Sequence, residues 1–162
     1  MHIGLIDVDS HNFPNLALMK ISAWHKKRGD TVEWAFPLAK YDIVYQSKVF
    51  DDTYSPDIEW IPQAEKIVKG GTGYGLDNKL PDEIEHIYPD YSLYPNLTDN
   101  TAYGYLTRGC PRHCDFCIVG DKEGLRSIGL RIYLNSGMVK DISSCLTQIC
   151  LLVVNTWIYC GS

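Results

Sequence analysis

The stretch Met1-His2-Ile3-Gly4-Leu5-Ile6-Asp7-Val8-Asp9, continued by Ser10-His11-Asn12-Phe13-Pro14 and then by residues 15–36, decides the fold of the first part of this chain. Ile3, Leu5, Ile6 and Val8 form an almost continuous apolar run, the pattern of a strand covered on both faces. Pro14 suits a first helical turn, where a missing N–H leaves no bond unmade. Ala17, Ile21 and Trp24 then recur at i, i+4 and i+7, and Lys26, Lys27 and Arg28 crowd the turn before Gly29. Cations there oppose the negative helix end, and glycine accepts a left-handed cap. Val32, Trp34 and Phe36 alternate with Thr31, Glu33 and Ala35, which predicts a second strand.

Further strands are expected at 41–45 and 65–69. Strands alternating with a helix argue for an α/β domain over residues 1–76, built on a parallel, Rossmann-like sheet, with an α+β arrangement as the alternative. Between 77 and 100 the composition changes. Pro81, Pro89 and Pro95, with Tyr88, Tyr91 and Tyr94, indicate a connector held by aromatic contacts, with a short helix at 82–87. At 102–107, Ala102, Gly104 and Leu106 alternate with Tyr103, Tyr105 and Thr107, and this strand runs directly into a cysteine loop.

The chain has 162 residues, about one ordinary domain or a small domain with part of another. Its 45 % hydrophobic and 22 % charged residues fit a soluble globular protein, and a net charge of −5 gives no reason to bind nucleic acid. No targeting segment or membrane span is recognisable. All six cysteines, Cys110, Cys114, Cys117, Cys145, Cys150 and Cys160, fall in the last third. Their local crowding suits metal ligation in a reducing cytoplasm better than a disulfide framework. After Ser127 only Arg131, Lys140 and Asp141 are charged, so residues 129–162 form an atypical apolar tail. The tail is expected either to be a buried element or to be an out-of-frame stretch. It would add to the exposed edge of the strand at 102–107 or promote aggregation. Its three cysteines have no ligand spacing and are read as incidental.

The sequence Thr107-Arg108-Gly109-Cys110-Pro111-Arg112-His113-Cys114-Asp115-Phe116-Cys117-Ile118-Val119-Gly120 contains C-x3-C-x2-C. Three thiolates on one loop are enough to hold three irons of a [4Fe–4S] cube and leave the fourth open. Arg108 and Arg112 would ease the accumulation of negative charge. The alternative is zinc: Cys110, His113, Cys114 and Cys117 make a Cys₃His set, although structural zinc ligands usually come as two separated pairs.

This loop, with Phe116 as the aromatic before the last cysteine and a strand before the loop, resembles that of the radical S-adenosylmethionine superfamily. The resemblance implies a [4Fe–4S] cluster on Cys110, Cys114 and Cys117, with S-adenosylmethionine on the open iron. It implies cleavage to a 5′-deoxyadenosyl radical after one-electron reduction by a flavodoxin or ferredoxin, with the substrate unspecified. Phe116 would lie on the adenine side. Residues 101–128 would be the first strand and cluster loop of an incomplete (β/α) barrel, and the chain the N-terminal part of such an enzyme. The segment before it resembles cobalamin-binding-type domains. Asp9-Ser10-His11-Asn12-Phe13-Pro14 stands where those domains carry Asp-x-His-x-x-Gly, which makes His11 the counterpart of the cobalt ligand, while Pro14 replaces the glycine. Ser47-Lys48-Val49 and Gly70-Gly71 are similar to the later Ser-x-Leu and Gly-Gly elements at shorter spacing. Tight cobalamin binding is not expected, and His11 is read first as a hydrogen-bonded loop residue. Gly70-Gly71-Thr72-Gly73-Tyr74-Gly75 is not a dinucleotide fingerprint and is expected to be a turn against a neighbouring domain. A noncatalytic zinc module and a nonfunctional truncated product are the rival readings.

Overall fold

Six consecutive residues, His2–Asp7, form β1, and their alternation divides the interior in two. Ile3 and Leu5 enter one core with Leu18, Ile21 and Ile84. Ile6 enters a second core with Tyr41 and Val44. A strand covered on both faces is what the opening run requires. Gly4 is small for a reason: a Cβ there would stand 3.0 Å from Val44 Cγ2 and 3.1 Å from Ala35 Cβ. The computed structural model describes residues 1–60, 62–98, 102–105, 107–112 and 114–129, with strands at 132–133, 139–140 and 151–154. It divides into two compact units, Met1–Leu97 and Thr98–Ser162.

In the first unit β1 is joined by β2 (Thr31–Trp34), β3 (Lys40–Ser47) and β4 (Gln63–Gly70). The order is β2-β1-β3-β4 and every pairing is parallel, with Ile3 opposite Val32 on one side and Ile43 on the other. This is an α/β unit compatible with a Rossmann-like domain. Between β1 and β2 runs α1 (Leu16–Lys27). The helix starts later than Pro14 suggested. Asn15 is its N-cap and accepts a hydrogen bond from the Leu18 N–H at 3.2 Å, which satisfies one of the orphan donors of the first turn. The helix buries Leu18, Met19, Ile21, Ser22 and His25, whereas Ala17 and Trp24 are half-buried. Gly29 takes φ 82° and closes the helix as expected.

The other crossovers carry no helix. Pro37 sits in the 35–39 link, and Pro56 and Pro62 in the link before β4, where each removes a donor and fixes φ. Side chains of these links, Ala35, Ala39, Ile58 and Trp60, cover the second face of the sheet directly. The stretch expected as an irregular connector contains α2 (Asp82–Glu85) and α3 (Pro95–Thr98). Residues as far as Leu97 belong to the first unit. They lie over α1: Lys20 pairs with Glu85 at 2.7 Å, and Lys26 and Ser22 both reach Asp90 at 2.6 Å. Aromatic contacts contribute as anticipated, with Trp34 meeting Tyr94 edge to face at 5.1 Å and Tyr88 near Tyr91.

The second unit begins with β5 (Ala102–Tyr105), within the expected strand, and β6 (Thr107–Arg108), which starts at its last residue. Then follow α4 (Val119–Glu123), β7 (Ile128–Gly129), β8 (Ile132–Tyr133), β9 (Val139–Lys140) and β10 (Leu151–Val154). β10 pairs with β5, so part of the apolar tail does add to that strand's edge. The pairings β5–β10, β6–β7 and β8–β9 are all antiparallel. The parallel pairing of a (β/α) barrel is therefore not formed among the described strands of this unit. The chain is turned back early instead, by Gly109 and Gly124 at φ 83° and 88°. Among the described residues no helix is long and apolar enough to cross a membrane.

Candidate functional site

The cysteine loop is the segment that β6 and β7 enclose. Gly109, directly after β6, has no room for a side chain: a Cβ would lie 2.1 Å from the Arg126 carbonyl oxygen. The next residue, Cys110, donates its N–H to the Gly124 carbonyl at 3.1 Å, so the two branches of the loop are fastened at their base. Arg108 lies 5.0 Å from the Tyr105 ring and 3.7 Å from a Glu123 carboxylate oxygen. At the far end the Cys117 N–H donates to the Cys114 carbonyl at 2.9 Å, which closes a turn over Asp115 and Phe116.

Cys110, Cys114 and Cys117 are free thiols; Cys114 is exposed and the other two are half-buried. The donor set suits an iron–sulfur cluster, as three soft thiol ligands follow one another on one loop. The side chains are not drawn together: among the described residues no group of three or more His, Cys, Asp or Glu surrounds a common point. His113, the fourth member of the zinc alternative, lies outside the described residues, as do Cys145, Cys150 and Cys160. Phe116 is 90 % exposed at the tip of the turn.

The second place of interest is the carboxyl end of the parallel sheet, where the strand order reverses between β1 and β3 and α/β folds present ligand crevices. Here the position is filled by the chain's own polar groups. Asn15 Nδ2 donates to Ser47 Oγ at 2.9 Å and to Ser10 Oγ at 3.2 Å. The Asp9 carboxylate accepts from the Val49 and Phe50 N–H groups at 3.0 and 2.8 Å. Tyr94 donates its hydroxyl to Asp7, and burial followed by that bond pushes the phenol pKa up. His11 is exposed and its backbone N–H donates to the Asp9 carbonyl at 2.9 Å.

The glycine-rich stretch packs against a loop of its own unit. Gly71, at φ 96°, would place a Cβ 2.2 Å from the Lys48 carbonyl oxygen, and Gly73 one at 2.1 Å from that of Phe50. Lys48 N–H donates to Gly70 at 3.1 Å and Gly73 N–H returns to Lys48 at 3.0 Å. The loops after β3 and β4 are thus pressed together backbone to backbone.

Beneath them is a group that hydropathy patterning does not reveal. Lys48 is fully buried, pairs with Asp52, lies 3.7 Å from Asp57 and stands over the Tyr74 ring at 4.6 Å. The Asp52 bond raises the ammonium pKa and outweighs the cost of burial, so Lys48 stays charged. Asp57 also receives Gln46 Nε2 at 2.8 Å, Lys69 at 2.6 Å and the Tyr74 hydroxyl. Burial alone would raise the Asp57 pKa, but the Lys69 and Tyr74 bonds hold it below the usual carboxylate range. Every charge here has a partner, as buried ionic groups require. A lysine following a strand-end serine was the only trace of this network in the sequence. No protein-family model, curated protein or solved structure matches the chain.

Proposed function

We propose that this chain is a radical S-adenosylmethionine protein, with Cys110, Cys114 and Cys117 as the ligands of a [4Fe–4S] cluster and an unknown substrate. The observation that carries the reading is the order of the loop: a strand, a left-handed glycine, then C-x3-C-x2-C with an aromatic before the last cysteine. When bound, such a cluster supplies the electron that cleaves S-adenosylmethionine to methionine and a 5′-deoxyadenosyl radical. The chain's own part is to present three thiolates and leave one iron without a protein ligand. Cys110 is fixed at the loop base by Gly124, so ligation requires the exposed Cys114 to swing inward with Cys117. Phe116 then stands next to a ligand cysteine with an open face for an adenine.

A flavodoxin- or ferredoxin-type reductant fits this chemistry, and residues 1–76 are a cobalamin-type domain that does not hold cobalamin tightly. The test is to reduce the reconstituted chain under anaerobic conditions, add S-adenosylmethionine and record the electron paramagnetic resonance spectrum. A change in the cluster signal on addition, with 5′-deoxyadenosine detected by chromatography, is the expected result. Positioning the sulfonium and the adenosyl group is worth several powers of ten in rate, and with Phe116 so open we expect slow cleavage. A cluster signal indifferent to S-adenosylmethionine would overturn the reading.

A further inference from the structure

The three thiols are not equivalent in the absence of metal. Cys114 and Cys117 stand at the two ends of one hydrogen-bonded turn, closed by the Cys117 N–H on the Cys114 carbonyl at 2.9 Å. Such a turn brings its first and last Cα atoms within about 7 Å. A disulfide asks for a Cα separation of roughly 4.4–6.8 Å, so the pair is within reach without refolding. Cys110 is held elsewhere, tied through its N–H to Gly124, and Pro111 stiffens the backbone between it and Cys114. Cys114 is exposed and Cys117 half-buried, which gives one thiol open to a small oxidant and one placed to resolve it.

We infer that Cys114 and Cys117 are a redox pair that closes a disulfide in the metal-free chain, leaving Cys110 as the single remaining thiol of the loop. The oxidant is a low-molecular-weight disulfide of the glutathione class. The Cys114 thiolate attacks one sulfur of it, a mixed disulfide forms, and one glutathione thiolate leaves. The Cys117 thiolate then attacks Cys114 Sγ, the intramolecular S–S bond forms, and the second glutathione leaves. Two cysteine thiols are oxidised by two electrons, one glutathione disulfide is reduced to two thiols, and the two cysteine protons end on the departing glutathiones. The bond itself is independent of the cluster reading; that it withdraws two of three cluster ligands rests on that reading.

The sequence offers a direct assay, because trypsin cuts after Arg108, Arg112 and Lys122 and so separates Cys110 from the other two. The full-length chain, prepared free of metal, is equilibrated anaerobically with oxidised glutathione, alkylated, digested and analysed by mass spectrometry. The expected result is peptide 113–122 without alkyl groups and lighter by two hydrogens, alongside an alkylated or glutathionylated Cys110 in peptide 109–112. The C110S variant should give the same 113–122 product, and C117S should give only glutathionylated Cys114. An alkylated 113–122 peptide, or Cys114 linked to any cysteine but Cys117, would overturn the inference. In a second arm the oxidised chain is given ferrous iron and sulfide before and after treatment with dithiothreitol. Iron retained only after reduction supports both claims. The disulfide without iron after reduction removes the cluster reading and leaves the redox pair standing. Iron uptake without any disulfide does the reverse.

Discussion

Gly71 takes φ 96° and ψ 168°, a backbone region open almost only to glycine, and its missing side chain is what lets the Lys48 carbonyl approach. An alanine there must either flip the backbone or push the loop after β3 away from the Lys48–Asp57–Tyr74 group. We expect Gly71→Ala to lower the unfolding free energy by at least ~2 kcal/mol, read from urea midpoints, while Gly70→Ala, which meets nothing within 4 Å, changes it much less. Equal effects would show that the two loops are not in contact. At this scale the sequence was an uneven guide. Gly29 could be recognised, because a cap follows from a run of cations before a glycine. The partner of Gly71 could not, since no local pattern tells which backbone will lie against a glycine. For the same reason the sequence did not show that Asp52 and Asp57, from the link that Lys48 begins, and Tyr74, from beyond β4, converge on Lys48.

Among the elements, β1 to β4 and α1 were visible as apolar periods within a residue or two of their observed ends. The helix-free crossovers were not, because what covers the second sheet face is set by where Ile58 and Trp60 happen to reach. The same holds for the contact of residues 85–92 with α1, which rests on pairs more than sixty residues apart. That contact carries a pH dependence. Asp90 is burdened by burial, but the bonds from Lys26, Ser22 and Ser92 hold its pKa below the usual carboxylate value. Asp30 is lowered chiefly by its bond to His25. For a depressed carboxyl the stabilisation is complete above the unfolded pKa of about 4 and disappears as pH falls through the lower folded value. Stability should therefore drop steeply on the acid side of about pH 4, and Asp90→Asn should flatten that drop in denaturation curves. Parallel curves for the two proteins would contradict this. The crevice between β1 and β3 gives a second prediction. Asn15, Ser47 and Asp9 already use its polar groups, and Pro14 stiffens its entrance. Equilibrium dialysis with hydroxocobalamin should show no binding at micromolar concentration; tight binding abolished by His11→Ala would reverse the reading of this end of the sheet.

Taken whole, the molecule is two units, and they were legible to different degrees. The first folds from patterns dense enough to read: a doubly covered strand, an amphipathic helix and parallel partners. The second was legible at its start, where the strand at 102–107 meets the cysteines, and in the tail that adds to that strand's edge. Its β6–β7 pairing encloses the left-handed Gly109 and Gly124, and its β5–β10 pairing joins strands far apart in the chain. The candidate chemistry, by contrast, is concentrated in one loop. The candidate ligands could be named from spacing alone, whereas their separation, with Cys114 outward and Cys110 tied to Gly124, could not. The central claim is that three cysteines of this loop hold one iron–sulfur cube. Its most direct test is the metal content of the anaerobically reconstituted chain beside its single-cysteine variants. About four irons with matching sulfide and a broad absorption near ~400 nm are expected, lost in Cys110→Ala, Cys114→Ala or Cys117→Ala and retained in His113→Ala. One zinc per chain that disappears with His113→Ala, or no retained iron at all, would contradict it.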